Sequence, residues 1–482
     1  MPNFTSTRRN FLAALAGGAV TAAAAEARRP NIVFLLLDDL GWRDFACYGN
    51  TFHETPHLDR LARDGVKFTN AYAACPVCSP TRASILTGKY PARLHLTDWI
   101  SGRKQWPTAR VLTPTFEQQL PLRETTVAEM LGPLGYRTAS IGKWHLGGEG
   151  FRPESQGFDL NVGGDQRGST RSYFGPFDMP NLTATTKDDY LTEKLTEAAE
   201  KFIDESAGRS PFLLYLPEYT VHIPLEARQA AVEKYRQRLA GKDFPNPIYA
   251  AMVEGFDLAL GSIRAKLEQR KLASDTILIV TSDNGGLRYE GSAKAPVTDN
   301  SPLRAGKGHL YEGGIREPLL VHWPGVTKGG TVCDVPVSSV DYLPTIVEMA
   351  AGKAPRPSEV DGVSLVPLLR GRPGPKREGL YWHYPHYSNQ GGVPAGAVRD
   401  GDWKLIEFYE DGFLELYNLR EDPGERRNLA VKEPKRTAEL HEKLKRWRSS
   451  VNAAMPAPNP KYDPATADQK LTGYEPRTPA IR

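Results

Sequence analysis

The chain has 482 residues, room for one large domain with a smaller companion. Its composition, 40% hydrophobic and 24% charged, is that of a globular protein in water. A net charge of +4 without blocks of one sign offers nothing to a nucleic acid or a membrane surface, and four cysteines are too few for a disulfide framework.

Residues 1–27 read as an export signal rather than as part of the fold. Arg8 and Arg9 precede Phe11-Leu12 and an Ala/Gly-rich stretch that runs to Ala25. The stretch is too short and too small-residued to span a bilayer, which takes ~20 apolar residues. Paired arginines, a weakly apolar run and small-residue cleavage sites from Ala23 to Ala27 predict a twin-arginine signal, export by that machinery, and a periplasmic or secreted protein. No later run is long enough for stable membrane insertion.

NIVFLLLDDLGW (Asn31 to Trp42) follows, apolar from Ile32 to Leu37 and then doubly acidic. An unbroken apolar run predicts a strand buried on both faces, as in parallel sheets. Similar strands are predicted in TASIGKWH (Thr138 to His145), PFLLYLPEY (Pro211 to Tyr219), DTILIVTSDNGG (Asp275 to Gly286) and EPLLVHWPG (Glu317 to Gly325). Helical patterns lie between them. Leu191, Leu195, Ala198 and Phe202 share one face, as do Met252, Phe256, Ala259, Ile263 and Leu267. The alternation predicts an α/β fold over residues 28–375, a large, mostly parallel sheet between helices. Residues 376–482 differ. AVRDGDWKLIEFYEDGFLELYNL (Ala397 to Leu419) reads as an antiparallel hairpin about Glu410-Asp411-Gly412. Leu440, Leu444, Trp447 and Val451 mark a helix, and a tail with six prolines from Met455 should be irregular.

In open α/β sheets ligands bind beyond the carboxyl ends of the strands. The residues there are Asp38-Asp39, Lys143 and His145, His222, and Asp283-Asn284. Clustered carboxylates are unstable without a cation, and all-oxygen donors suit Ca²⁺ or Mg²⁺ better than zinc. Either acidic pair alone also suits a helix cap or a turn. Continued strand alternation would put Lys143 and His145 on one side and Trp144 on the other.

AACPVCSPTRASILTGKYPAR (Ala73 to Arg93) holds Cys75 and Cys78. Ser79-Pro80 suits a helix start and Gly88 its stop, which places Cys78 at a helix N-terminus where backbone N–H groups favour an anion. Arg82, one turn on, has the planar fork for an oxyanion. A redox or zinc reading of the cysteine pair lacks the usual insert and the further ligands that zinc would need.

These residues resemble a family. Cys78-Ser79-Pro80-Thr81-Arg82 fits the C-x-P-x-R signature of the type I sulfatases, and GYRTASIGKWHLG (Gly135 to Gly147) resembles the second signature. LLLDDLGW, TSDNGG and RAGKGHLYEGGIREP (Arg304 to Pro318) also match in order. The resemblance covers about Pro30 to Leu369, with WKLIEF…LELYNL similar to the family's C-terminal subdomain. It implies an alkaline-phosphatase-like α/β fold, a mixed and mostly parallel sheet sandwiched by helices, plus a small antiparallel sheet with a helix. It also implies a sulfatase acting on sulfated carbohydrates or aryl sulfates. Cys78 would be converted to formylglycine (3-oxoalanine) by a formylglycine-generating enzyme. Ca²⁺, ahead of Mg²⁺, would be held by Asp38, Asp39, Asp283, Asn284 and residue 78. Of two hydroxyls on the hydrated aldehyde, one would attack sulfur and the other release sulfate. Arg82, Lys143 and Lys307 would neutralise the ester's charge, His145 would serve as base, and His222 and Lys307 would protonate the leaving oxygen. The loop GGDQRGSTRSYFG with Arg167, and WHYPHY with His383 and His386, would wall the substrate pocket. A phosphoester or phosphonate hydrolase on the same scaffold, or a non-catalytic glycan-binding relative, stays open at this point. Cys78 weighs against the first, and the presence of all the site residues against the second.

Overall fold

The strand Asn31–Leu37 (β1) has no exposed residue, and its alternating side chains feed two separate cores. Val33, Leu35 and Leu37 pack with Leu195 and Phe202 of the helix Leu191–Ser206 (α2) and with Met252, Phe256 and Ile263 of Pro247–Gln269 (α3). Ile32, Phe34 and Leu36 pack on the opposite face with Ala83, Ile85 and Leu86 of Cys78–Thr87 (α1). That two-sided burial is why the strand reads as an uninterrupted apolar run. This computed structural model describes residues 29–241, 244–289, 296–467, 471 and 474–481. The export signal read over residues 1–27 lies outside them.

Among the described residues the main sheet has nine strands. Besides β1 they are Val66–Tyr72 (β2), Arg137–Ile141 (β3), Leu160–Val162 (β4), Phe212–Pro217 (β5), Thr276–Ser282 (β6), Arg316–His322 (β7), Thr331–Cys333 (β8) and Val337–Ser338 (β9). The order is β9-β2-β7-β6-β1-β5-β3-β4, with β8 also paired to β2. Every pairing is parallel except those of β7 with β2 and β6. The mixed, mostly parallel sheet between helices is therefore present.

One expectation changes in detail. The strand predicted through His145 ends at Ile141. Gly142 turns the chain at φ +122, and a Cβ there would lie 2.1 Å from the Pro217 carbonyl oxygen, so only glycine fits. Lys143 and His145 are aimed by this loop, not by strand alternation, while Trp144 is buried in the core shared with α1.

A second sheet of four antiparallel strands runs Leu380–Tyr384 (β10), Ala395–Asp400 (β11), Trp403–Phe408 (β12) and Phe413–Asn418 (β13), in that order. The expected hairpin is β12–β13, with Gly412 at φ +73 in its turn. The helix Pro434–Ser450 (α4) lays Leu440 and Leu444 on Val398, Leu405 and Leu416, and Trp447 stacks on Tyr381 at 4.8 Å. Val451 falls just past the helix end. Several contacts join this sheet to the main body, among them the edge-on packing of Trp382 against Tyr72 of β2. Trp382 Nε1 donates to the Ala73 carbonyl at 2.8 Å, and Lys404 lies buried between Glu312 (2.9 Å) and Glu425 (2.8 Å). In the tail, Ala457–Pro458 pairs with Val111–Leu112 and Arg477 binds Glu410 and Asp411. Among the described residues no helix is long and apolar enough to cross a membrane.

Candidate active site

The carboxyl ends of β1, β3, β5 and β6 and the N-terminus of α1 meet at one place. Val77 is extended (φ −143, ψ 160), Cys78 opens the helix, and Gly88 closes it at φ +68. All of α1 is buried, so the first turn is presented to the interior and not to solvent. Cys78 Sγ lies 3.6 Å from Asp38 Oδ1. Lys143 donates to Asp38, and Lys307 Nζ donates to Asp39 at 2.8 Å. Arg82 Nε donates to Asp283 Oδ2 at 2.8 Å and its Nη1 to the Lys143 carbonyl at 2.9 Å. His222 Nε2 stands 3.6 Å from Asp39 Oδ2. Asn284 Nδ2 donates to Asp39 Oδ1 at 2.8 Å. Asp39 (φ +62) and His145 (φ +57) both occupy the left-handed region, rare for residues with a side chain and concentrated at functional sites.

Burial dominates the electrostatics. It works to raise the Asp39 carboxyl, but Lys307, His222 and Lys143 outweigh it and hold Asp39 well below the usual range. Asp283 is pushed up to about 6 by burial and by Asp38, against the pull of Arg82. Burial drives His222 down to about 3 and His145 well below its usual value, helped by Lys307 and Lys143 respectively. Burial likewise raises the Cys78 thiol to about 12 and Cys75 well above its ordinary value. Both cysteines are free. Thiols this protonated are poor partners for disulfide exchange, which weighs further against the redox reading of the pair.

The donor set fits a hard cation. Asp38, Asp39, Cys78 and His222 offer ligand atoms within 4.8 Å of one another. Asn284 Oδ1 is buried with no hydrogen-bond partner, as a metal-facing amide oxygen would be. His222 belongs to this cluster, which sequence reasoning had placed only among the proton donors. Asp283 is turned toward Arg82.

His145 Nδ1 is likewise buried without a hydrogen-bond partner, whereas Arg82 Nη2 lies 2.8 Å from Asp283 Oδ2. His145 Nε2 meets the Ile100 carbonyl, and the ring lies against Gly168, where a Cβ would fall 2.4 Å from Cε1. The loop carrying Arg167 thus reaches His145, although Arg167 itself pairs with Asp165 and Asp178. His383 is committed to Tyr409 (2.8 Å) and the Ala454 carbonyl (2.9 Å), and His386 Nε2 meets Thr97 Oγ1 at 2.7 Å. Neither histidine contacts the Asp38 cluster in the structure. Ile100, Ser79 and Gly168 were missed. Two of them act through backbone atoms or the lack of a side chain, which leaves no signal in residue type.

Residues 30–353 match the sulfatase family, and residues 305–450 match the region described as N-sulphoglucosamine sulphohydrolase, C-terminal. A sulfatase of Formosa agariphila is 31% identical, spanning 88% of this chain and 90% of the relative. Arylsulfatase A of Homo sapiens is 33% identical, spanning 87% and 86%. Among solved structures, Ps i-CgsB in complex with k-i-k-neocarrahexaose superposes with a TM-score of 0.75 at 26% identity, over 87% of this chain and 93% of that one. The five ordered motifs, the nine-stranded sheet and these matches carry one conclusion: the chain belongs to the type I sulfatases of the alkaline phosphatase superfamily, and is a sulfatase enzyme.

Proposed function

We propose that this sulfatase removes sulfate from sulfated carbohydrates, using formylglycine made from Cys78 and Ca²⁺ held by Asp38, Asp39, Asp283, Asn284 and residue 78. The observation that carries the reading is a trio of buried groups in one site: Asn284 Oδ1, without a hydrogen-bond partner, the Arg82 guanidinium, held on Asp283, and His145 Nδ1, also without a partner. They suit a cation, an anion and a proton in turn, which are the three demands of sulfate ester hydrolysis. When bound, the cation would neutralise the aspartates and polarise the ester.

This chain's own residues supply the rest. The three carboxylates Asp38, Asp283 and Asp39 are matched in the structure by Lys143, Arg82 and Lys307. These three cations are placed to bind the anionic sulfate and to hold it over the first turn of α1, whose N–H groups add to the pull. Hydrated formylglycine at residue 78 carries two hydroxyls on one carbon, one to attack sulfur and one to lose its proton afterwards. Lys307 and His222 flank Asp39, and Lys307, which the aspartate keeps protonated, is the one ready to give a proton to the departing alcohol, with His222 able to do so only where it gains a proton first. His145 takes the proton at residue 78. Ps i-CgsB, with its neocarrahexaose, supports a sugar as the alcohol. The paired arginines of residues 1–27 support twin-arginine export to the periplasm, with a formylglycine-generating enzyme acting beforehand.

Tandem mass spectrometry of the tryptic peptide Phe68 to Arg82, from protein made in its native host, tests the nucleophile. An aldehyde at residue 78 with a thiol at Cys75 is expected. Two thiols, or a disulfide between them, overturn it. A panel of sulfated sugars run beside aryl sulfates and phosphate monoesters tests the substrate class. Turnover confined to phosphate esters would overturn the sulfate assignment.

A further inference from the structure

The stretch His95 to Arg103 makes no regular element, yet it is tied down at each end and in the middle. Ile100 N donates to Ser79 Oγ at 3.1 Å, next to Cys78, and the Ile100 carbonyl meets His145 Nε2. One residue, through its two flanking peptide groups, thus bridges the helix that carries the nucleophile position and the histidine read as its base. The residues before it are anchored by the end of β10 and the residues that follow it. Asp98 Oδ1 accepts from its neighbour Trp99 N at 2.9 Å and from Tyr384 OH at 3.0 Å, and Thr97 Oγ1 pairs with His386 Nε2 at 2.7 Å. Arg103 Nη1 donates to the Ser388 carbonyl at 2.6 Å. The segment Tyr384 to Ser388, beside the second sheet, therefore grips this strap at three points.

A carbonyl oxygen only accepts, so the nitrogen facing it must carry the hydrogen. That assigns the proton of neutral His145 to Nε2 and leaves the lone pair on Nδ1, the buried atom without a partner. Gly168 lies close against the ring, since a Cβ there would stand 2.4, 2.6 and 3.0 Å from Cε1, Nε2 and Nδ1, so the ring is packed in place beside its bond to Ile100. Lys143, Arg82 and His222 are the charged or titratable groups nearest the ring.

We propose that the strap Thr97 to Ile100, gripped by Tyr384 and His386, is a positioning device that locks His145 in the Nε2–H tautomer and so makes Nδ1 its proton-accepting atom. In the accepting step the N–H bond forms at Nδ1 as the O–H bond at residue 78 breaks, while the Nε2 hydrogen stays on the Ile100 carbonyl. The proton then leaves Nδ1 to solvent. Tyr384 and His386 are positioning residues here, and His386 serves the strap in place of the sugar contact expected from the sequence. The inference rests on the reading of His145 as the base.

Nitrogen NMR of the full-length protein labelled with ¹⁵N-histidine tests the lock directly, with His145 assigned by its loss in His145→Gln. The expected resting spectrum shows a protonated Nε2 and an unprotonated, pyridine-type Nδ1. Tyr384→Phe removes one hydroxyl, and Thr97→Val removes the His386 partner. Combined, they should blur the two ring signals toward a tautomer mixture and lower kcat about tenfold with KM nearly unchanged, the range seen when the orienting partner of a functional histidine is lost. A wild-type His145 protonated on Nδ1 overturns the proposal, and so does a double variant with the parent spectrum and kcat. If the double variant does not fold, Tyr384→Phe alone is read by the same two criteria. Failure of the formylglycine reading is separate, since a thiol at residue 78 in the mass spectrum leaves the tautomer signal as it was.

Discussion

Arg82 and Asp283 meet wholly out of solvent: Nε lies 2.8 Å from Oδ2, and neither side chain has exposed surface. The same guanidinium reaches the Lys143 carbonyl with Nη1 and brings Nη2 to 2.8 Å from that Asp283 oxygen. A lysine at this position has no fork with which to do all three. Arg82→Lys should lower kcat/KM at least a hundredfold and destabilise the fold by about 3–5 kcal/mol, the usual result of leaving a buried charge poorly paired. Steady-state kinetics and denaturant midpoints check this, on protein whose residue 78 has been verified by mass spectrometry. A variant of parental stability would contradict the pairing.

Gly168 presses on the face of His145 without any unusual backbone angle of its own, so space alone demands glycine. Gly168→Ala should push the imidazole off the Ile100 carbonyl and reduce kcat roughly 10–100-fold, while thermal stability changes little. Gly132, which has open space around it and an ordinary helical backbone at φ −52, is the control for substitution as such. Equal activities for Gly168→Ala and the parent would remove the loop from the site.

Chelation is informative in both directions. If the Asp38–Asp39 cluster holds a cation, EDTA should lower both the unfolding temperature and the activity. Returning Ca²⁺ at 100 times its Kd should restore about 2.7 kcal/mol of stability. Asp39→Asn should be indifferent to both treatments. A parent protein that unfolds identically with EDTA and with Ca²⁺ would count against the metal.

Glu218, directly after β5, is buried with neither carboxylate oxygen in a hydrogen bond, and burial raises it from its ordinary 4.5 to about 8. The folded chain therefore keeps a proton that the unfolded chain gives up above about pH 4.5, and stability must fall as pH rises from there to about 8. Glu218→Gln cannot titrate. The difference in unfolding free energy between parent and variant should drift by a few kcal/mol, on the order set by that shift, in favour of the variant between these pH values. Unfolding curves at the two ends of the window decide it, and parallel behaviour sinks the idea.

The sheet was readable because burial on both faces forces a long apolar run, as in β1, and because glycines mark the ends of elements, as Gly88 does for α1. Asp38-Asp39 and Asp283-Asn284 were readable as a pair of pairs, since each follows such a strand. Lys143 reaches Asp38 and His145 the Ile100 carbonyl from a loop and not by strand alternation, because Gly142 ends the strand before them. The strap was not readable. His95 to Arg103 has no period, and its partners at Tyr384, His386 and Ser388 lie almost three hundred positions on. Nor does residue type tell a histidine that touches a sugar from one that holds a threonine.

Lys404 has a consequence in time. Its ammonium is one of two buried cations on Glu312, beside Arg316 and in the same segment as Lys307, and it arrives about a hundred positions later in the chain with Glu425 as its second partner. During synthesis the loop that carries Lys307 must wait for both. Until they emerge from the ribosome, Glu312 has only Arg316 and the Tyr72 hydroxyl to offset its burial. Cys78, sealed in the finished molecule, would then stay reachable to a modifying enzyme for most of the chain's elongation. The order of translation itself would hold the door open for the proposed oxidation of residue 78, and the last strands of the protein would close it.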